Sequence, residues 1–288
     1  MKKTAIISIA TVVLLATFAC KIHASRTLVP SENTVTLTKN VNPFSKIDAG
    51  GIINVIYKTG PKHSVIVRVP ENMRDNVSVK VDKNTLDLGT RNLNNVNIKG
   101  SANIVVTVTS PRLKEVELGG TATFKAETLS TSSDNIIFDL GGASKATVNA
   151  IRATKVDVDL SGASHMYVGE ITATRAVFDL SGASHFGLKA LRTQNLGIDL
   201  SGAVGIKWSD VKVSGKTSID VSGATSVTLS GVTESLVLDA SGATSANLKN
   251  FKAQKGSVDV SGTSSVNTNI EKITGLDTSG VSHFKNHK

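Results

Sequence analysis

Asp159-Leu160-Ser161-Gly162-Ala163-Ser164 recurs twenty residues later as Asp179-Leu180-Ser181-Gly182-Ala183-Ser184, and twenty residues earlier as Asp139-Leu140-Gly141-Gly142-Ala143-Ser144. Looser copies continue to Asp277-Thr278-Ser279-Gly280-Val281-Ser282. The glycine of the phrase falls at Gly142, Gly162, Gly182, Gly202, Gly223, Gly242, Gly262 and Gly280, in steps of 20, 20, 20, 21, 19, 20 and 18. The acid three residues before it falls at Asp139, Asp159, Asp179, Asp199, Asp220, Asp239, Asp259 and Asp277. Weaker copies around Gly100 and Gly120 extend the series backwards. A fixed short period is the mark of a repeat architecture and decides the fold before any single residue is considered.

Apolar columns show how one repeat folds. Residues four and two before the glycine are largely aliphatic, as in Val158 and Leu160. So are those four, six and nine after it, as in Met166, Val168 and Ile171. Ala143, Ala163, Ala183, Ala203, Ala224 and Ala243 directly after the glycine form a further candidate inward column. Apolar residues two apart mean a strand with one buried face. The alternation breaks at the glycine and near the ninth position, so each repeat reads as two or three short strands joined by corners. Twenty residues are too few for a strand, a helix and two loops. The chain is therefore expected to be all-β, a parallel β-helix (β-solenoid) with about 20 residues per coil, each column a stack at ~4.8 Å.

The aspartates lie between two inward columns and so point outward. Carboxylates ~4.8 Å apart repel by roughly 1 kcal/mol in water and by about 3.5 kcal/mol at an effective dielectric of 20. The expected compensation is an Asx-type cap, each carboxylate accepting N–H groups of the Ser-Gly corner. A row of Ca²⁺ sites is the alternative; the nine-residue Gly-rich calcium repeat and a second acidic column are both missing from the sequence. His165, His185 and His283 share one column, read as solvated, without a third ligand to make a metal site.

The two ends differ from the repeats. Lys2 and Lys3 precede the charge-free run Ala5 to Ala19, which is short for a bilayer span and reads as a secretory signal over residues 1–24, cut between Ala24 and Ser25. Thr17-Phe18-Ala19-Cys20 offers the alternative, lipidation of Cys20, although Thr17 and Phe18 make a poor lipoprotein box. No other stretch reads as a transmembrane helix. Losing residues 1–24 removes Lys2, Lys3 and Lys21 and takes the net charge from +9 to 9 − 3 = +6. Residues 25–99 read as a β-rich N-terminal part covering one end of the solenoid, which occupies 100–288; a separate small β-sandwich is the alternative. Within it, Gly51 to Tyr57 and Ser64 to Val69 are expected to form one hairpin, and Val77 to Val81 with Thr85 to Leu88 another. The last coil, followed only by Lys285-Asn286-His287-Lys288, is expected to be loosely held and protected by charge, leaving a monomer.

Phe44-Ser45-Lys46-Ile47-Asp48-Ala49-Gly50-Gly51-Ile52-Ile53-Asn54-Val55, the Ser64 to Val67 strand, the Pro70-Glu71-Asn72 turn and the downstream Ser-Gly-Ala repeats together resemble the head GIN domain of autotransporter adhesins, formerly domain of unknown function 2807. The resemblance covers roughly residues 43–270. It implies a β-helical fold, a secreted or surface protein of a Bacteroidetes-type bacterium and an adhesive role, and it carries over no catalytic residue.

Composition is consistent with that class. With 40% apolar and 19% charged residues the chain is not globally disordered, and one Cys allows neither an internal disulfide nor a Cys-built zinc site. No Ser-His-Asp motif, phosphate loop or H-E-x-x-H helix stands in the sequence, and no cofactor is implied. Arg152, Arg192, Lys212, Lys252 and Lys272, with Lys155, Arg175 and Lys255, are expected to line one long edge away from the aspartates. Such a strip is either ordinary solvation or a contact for envelope or extracellular glycans and other anionic polymers. Export and only 11 aromatics speak against nucleic acid. The reading is therefore an exported, non-enzymatic surface or periplasmic binding module. The alternatives are a structural cell-envelope protein and, further off, a β-helix polysaccharide-active enzyme, which would need acids and bases interrupting the columns.

Overall fold

In the computed structural model, which describes residues 26–288 apart from 94 and 132, each repeat is one coil of a parallel β-solenoid. The Lys145–Leu160 strand pairs in parallel with His165–Leu180, and that in turn with His185–Leu200, each residue opposite the one twenty later. Pairing skips positions 149 and 154, so the sixteen-residue strand bends twice. Three sheet faces result, carried in this coil by residues 145–148, 150–153 and 155–160, and the Ser-Gly-Ala turn closes the triangle. Buried side chains from Phe44 to Ile270 belong to one apolar cluster running the length of the stack. Its middle coils hold an aromatic cluster: Phe178, Phe186 and Trp208 meet with ring centroids 4.9–5.6 Å apart, and the Trp208 indole N–H donates to the Phe186 carbonyl.

The corner explains the glycine. Gly182 has φ +68°, and a Cβ there would stand 2.6 Å from the carbonyl oxygen of Gly162 one coil below. The same geometry stacks Gly162 on Gly142 and Gly142 on Gly120. The left-handed turn also reverses the alternation. Ala143, Ala163 and Ala183, expected inside, are exposed, and the next residues, Ser144, Ser164 and Ser184, are buried. Val204, Thr225, Thr244 and Ser264 continue this inner column. Among the described residues the hydroxyls of Ser144, Ser164, Ser184 and Thr225 have no hydrogen-bond partner, whereas Ser264 donates to the Ser261 carbonyl at 2.7 Å. Val232, expected inside, is also exposed, because a register shift puts Gly231 opposite Val211 and Val232 opposite Lys212.

The N-terminal part departs from expectation in its pairing. Ile53–Thr59 and Ser64–Pro70 do not form a hairpin; Ile104–Ser110 lies between them, parallel to the first and antiparallel to the second. Thr34–Lys39 adds antiparallel to Ser64–Pro70 at the outer edge, and a 3₁₀ turn over Glu71–Asn76 buries Met73. The Val77–Asp82/Thr85–Thr90 hairpin forms as expected. Its second strand stacks on Lys46–Ala49, and Lys46–Ala49 stacks on Glu115–Leu118. The coil made by residues 46–59 is thus sandwiched between layers formed by residues 85–110 and 115–130. Gly51, not Gly100, is the neighbour of Gly120 in the corner column; Gly100 meets nothing within 4 Å.

At the other end His283–Asn286 pairs with the start of Ser265–Thr278. The Asn286 side chain accepts from the Ile270 N–H at 2.9 Å and donates to the Ile270 carbonyl at 2.9 Å, and the His287 N–H donates to Thr268. The tail, expected to be loose, is therefore tied to the coil before it. No helix among the described residues is long and apolar enough to cross a membrane.

Candidate binding surface

The face carried by residues 155–160 of each coil holds three outward columns. The outermost is acidic. In-register pairing aligns Asp87, Asp48, Glu117, Asp139, Asp159, Asp179, Asp199, Asp220, Asp239, Asp259 and Asp277 into one ladder of eleven carboxylates, about 50 Å long at the strand spacing. The capping expected of these aspartates is not found. In the coil below Gly182, the Ser161 and Ala163 N–H groups donate to the Leu140 and Gly142 carbonyls, and the Ser164 N–H donates to Ser161, so the corner satisfies itself through backbone. Among the described residues no ladder carboxylate takes part in an ion pair. Partial burial, and then the charge of neighbouring carboxylates, raises the pKa of Asp159 and Asp199 above the ordinary carboxylate value. Asp48 and Glu117 are raised for the same reasons in the same order.

Three of these eleven were not legible in the repeat as first read. Asp48-Ala49-Gly50-Gly51 and Glu117-Leu118-Gly119-Gly120 carry the same acid-to-glycine spacing, and that spacing was the available signal for two of them. Asp87 stands three before Thr90 and lacks even the glycine.

The middle column is charged near the N-terminal end, at Lys46, Glu115 and Asp157, and small or aliphatic from there on: Val177, Gly197, Ser218, Val237 and Ser257 floor a shallow trough. It opens into cavities of 220 Å³ beside Arg175 and Lys216 and of 360 Å³ beside Asp239, Asp259 and Asp277. The third column carries Lys155, Arg175, Lys216, Lys255 and Lys272, interrupted by Asn195 and Ser235. Lys155 stands opposite Arg175, and Lys255 opposite Lys272.

The basic residues do not form the single strip expected. Arg152, Arg192, Lys212 and Lys252 align on the neighbouring face, with Thr172 and Val232 between them. Lys155, Arg175, Lys255 and Lys272 align on the same face as the acid ladder instead of away from it. Lys272, counted with the first set by its distance from Gly262, joins the second because the last repeat is short and register shifts occur before it. Several cations are neutralised: Arg152 pairs with Glu170, Lys155 with Asp157, Arg192 with Asp210, Lys252 with Glu271 and Lys255 with Glu234. Arg192 and Lys212 flank a 450 Å³ cavity that also includes Thr172, Thr193 and Val232.

His165 and His185 are stacked, with ring centroids 6.1 Å apart. Among the described residues no three His, Cys, Asp or Glu side chains are grouped to hold a metal ion. Ala24, Ser25 and Cys20, the residues of the export reading, lie outside the described residues.

Residues 43–217 match the family described as "Putative auto-transporter adhesin, head GIN domain". The chain belongs to this family. The match stops short of residue 270, to which the resemblance extended, while the coils continue beyond it. The fold is shared with a putative adhesin from Bacteroides fragilis at 21% identity, covering 90% of this chain and 99% of that one, with a TM-score of 0.62. It is also shared with putative adhesins from Parabacteroides distasonis (15% identity, 90% and 99% covered, TM-score 0.63) and Parabacteroides merdae (15%, 91% and 100%, 0.59). No curated protein matches by sequence. Family membership makes the GIN-domain chain an exported, adhesin-like β-solenoid module and not an enzyme.

Proposed function

We propose that this GIN-domain protein adheres to envelope or extracellular glycans and similar anionic polymers through its two basic columns. The observation that carries the reading is the cavity between Arg192 and Lys212, whose Lys212 no acid neutralises among the described residues. Lys212, Arg175, Lys216 and Lys272 have no ion-pair partner among the described residues. Arg175, Lys216 and Lys272 share one column two and three coils apart, and Lys212 stands on the neighbouring face, so a polymer of anions lying along the rod meets cations on both faces. Residues 1–24 act as a signal cut after Ala24, with lipidation at Cys20 as the rival route to the envelope. The 25–99 segment serves as the cap of the 100–288 repeats, and the mature protein is a monomer.

The test is a glycan array probed with the protein and with a Lys212→Glu/Lys216→Glu variant at matched salt. Retention on acidic glycans that falls at least tenfold in the variant supports the reading. Equal retention of both proteins, or none on any glycan, overturns it. Light scattering across concentrations checks the monomer.

A further inference from the structure

One half-open cavity of 330 Å³ is built from residues outside the repeated columns, where the N-terminal cap meets the first coils. Pro43, Phe44 and Pro111 give it apolar walls, and its polar lining is Ser45, His63, Asn84, Arg112 and Lys114. A repeated column is scaffold; a pocket that occurs once is where selectivity can reside.

The polar groups are held in place. Arg112 and Lys114 both pair with Asp134, at 3.0 and 2.9 Å, and Asp134 is not part of the wall. Two cations thus share one carboxylate behind them, and the lining keeps a net positive charge. The Asn84 side-chain amide donates to Ser45 Oγ at 2.6 Å, and the Asn84 carbonyl accepts from the Ser45 and Lys46 N–H groups. The His63 ring packs edge-on to Phe44 at 4.8 Å, and its Nδ1 is buried without a hydrogen-bond partner in the protein.

We propose that this cavity binds the terminal acidic sugar of a glycan. Arg112 and Lys114 would take the carboxylate, and Ser45, Asn84 and His63 the ring hydroxyls. The volume is at the small end of ligand pockets, which suits one sugar ring. The inference rests on the glycan reading above but names a different site from the basic columns. A free phosphate shares the anion chemistry and makes no use of the hydroxyl and amide wall.

The experiment is titration of the protein with N-acetylneuraminate, glucuronate, glucose and inorganic phosphate, followed by calorimetry and by amide shifts. Saturable binding of an acidic sugar is expected, at least tenfold tighter than glucose or phosphate, with shifts confined to the corner. Arg112→Gln should weaken it about tenfold, and Asp134→Asn should strengthen it by freeing both cations, which a merely structural change would not do. Phosphate binding as tightly as the sugars, or sugar affinity unchanged in both variants, overturns the proposal. Array retention that depends on Lys212 and Lys216 but not on Arg112 overturns this site and leaves the adhesion reading standing. Acidic-sugar binding here without array retention does the reverse.

Discussion

Replacing Gly182 by Ala tests the corner that sets the repeat. The residue has φ +68°, and placing an L side chain in that region costs about 1–2 kcal/mol. The new methyl would stand 2.6 Å from the Gly162 carbonyl oxygen, where an ordinary C···O contact needs roughly 3.3 Å. That same oxygen accepts the Ala183 N–H at 2.8 Å, so relieving the clash lengthens or breaks a hydrogen bond worth about 0.5–1.5 kcal/mol. The expected loss is about 2–4 kcal/mol, at the upper end of single-substitution effects. Because coils couple mainly to their neighbours, the most direct measurement is amide exchange at Ala183 and His185, read beside the urea midpoint. Gly141→Ser is the control. Gly141 has no positive φ, its Cβ would meet only Ser161 Oγ at an ordinary 3.6 Å, and the change supplies the serine that Ser161 and Ser181 provide in the next coils. If Gly182→Ala and Gly141→Ser unfold at the same urea concentration and Ala183 stays protected, the stacked-glycine argument is wrong.

Four other outcomes follow from the described geometry. Asp48, Glu117, Asp159 and Asp199 have raised folded-state pKa values, so their contribution to stability is full below the unfolded value and is lost as pH rises through the folded one. Denaturation midpoints should therefore climb as pH falls from 7 into the acid range. They should drop again once Asp134, Asp210 and Glu271, whose ion pairs lower their pKa, are protonated; a midpoint that only declines from pH 7 refutes the first part. Asp199→Asn should stabilise at pH 7, since it removes repulsion and no cap, and a clear loss in thermal melting would restore the capping account. In the inner hydroxyl column Ser184→Ala should be neutral or stabilising, while Ser264→Ala should cost about 1–3 kcal/mol in urea melts for the bond it donates to Ser261 and the one it accepts from Thr244. Trp208→Ala should cost about 3–5 kcal/mol by emptying the centre of the Phe178–Phe186 cluster, and a loss under 1 kcal/mol would show that the cluster collapses to fill the gap.

The coil and its period were legible because glycine is demanded at one point per turn by both φ and a backbone-to-backbone approach, so the ruler in the sequence is the ruler in space. The inward or outward direction of Ala163 was not, because alternation counted through Gly162 ignores the reversal that a positive φ imposes. The basic columns were misjudged because the bend at position 154 turns Lys155 and Arg175 onto a different face from Arg152, and because Lys272 follows register shifts that move a side chain to another column. The hairpin expected of Ile53–Thr59 and Ser64–Pro70 failed because two adjacent strand patterns say nothing about a third inserted between them. The corner cavity carries no motif at all. Its residues His63, Asn84 and Arg112 are brought together only by the cap's folding against the first coils.

The position of residues 46–59 between later-formed layers makes the two ends of the rod unequal. At the far end each coil rests only on the one before it, so the protein can be shortened or extended there one turn at a time. At the near end the earliest coil is locked in by chain made after it, and trimming from the N-terminus would pull out an inner layer before the outer one. Any graft that seeks a longer or shorter reach is therefore confined to the side beyond Gly142.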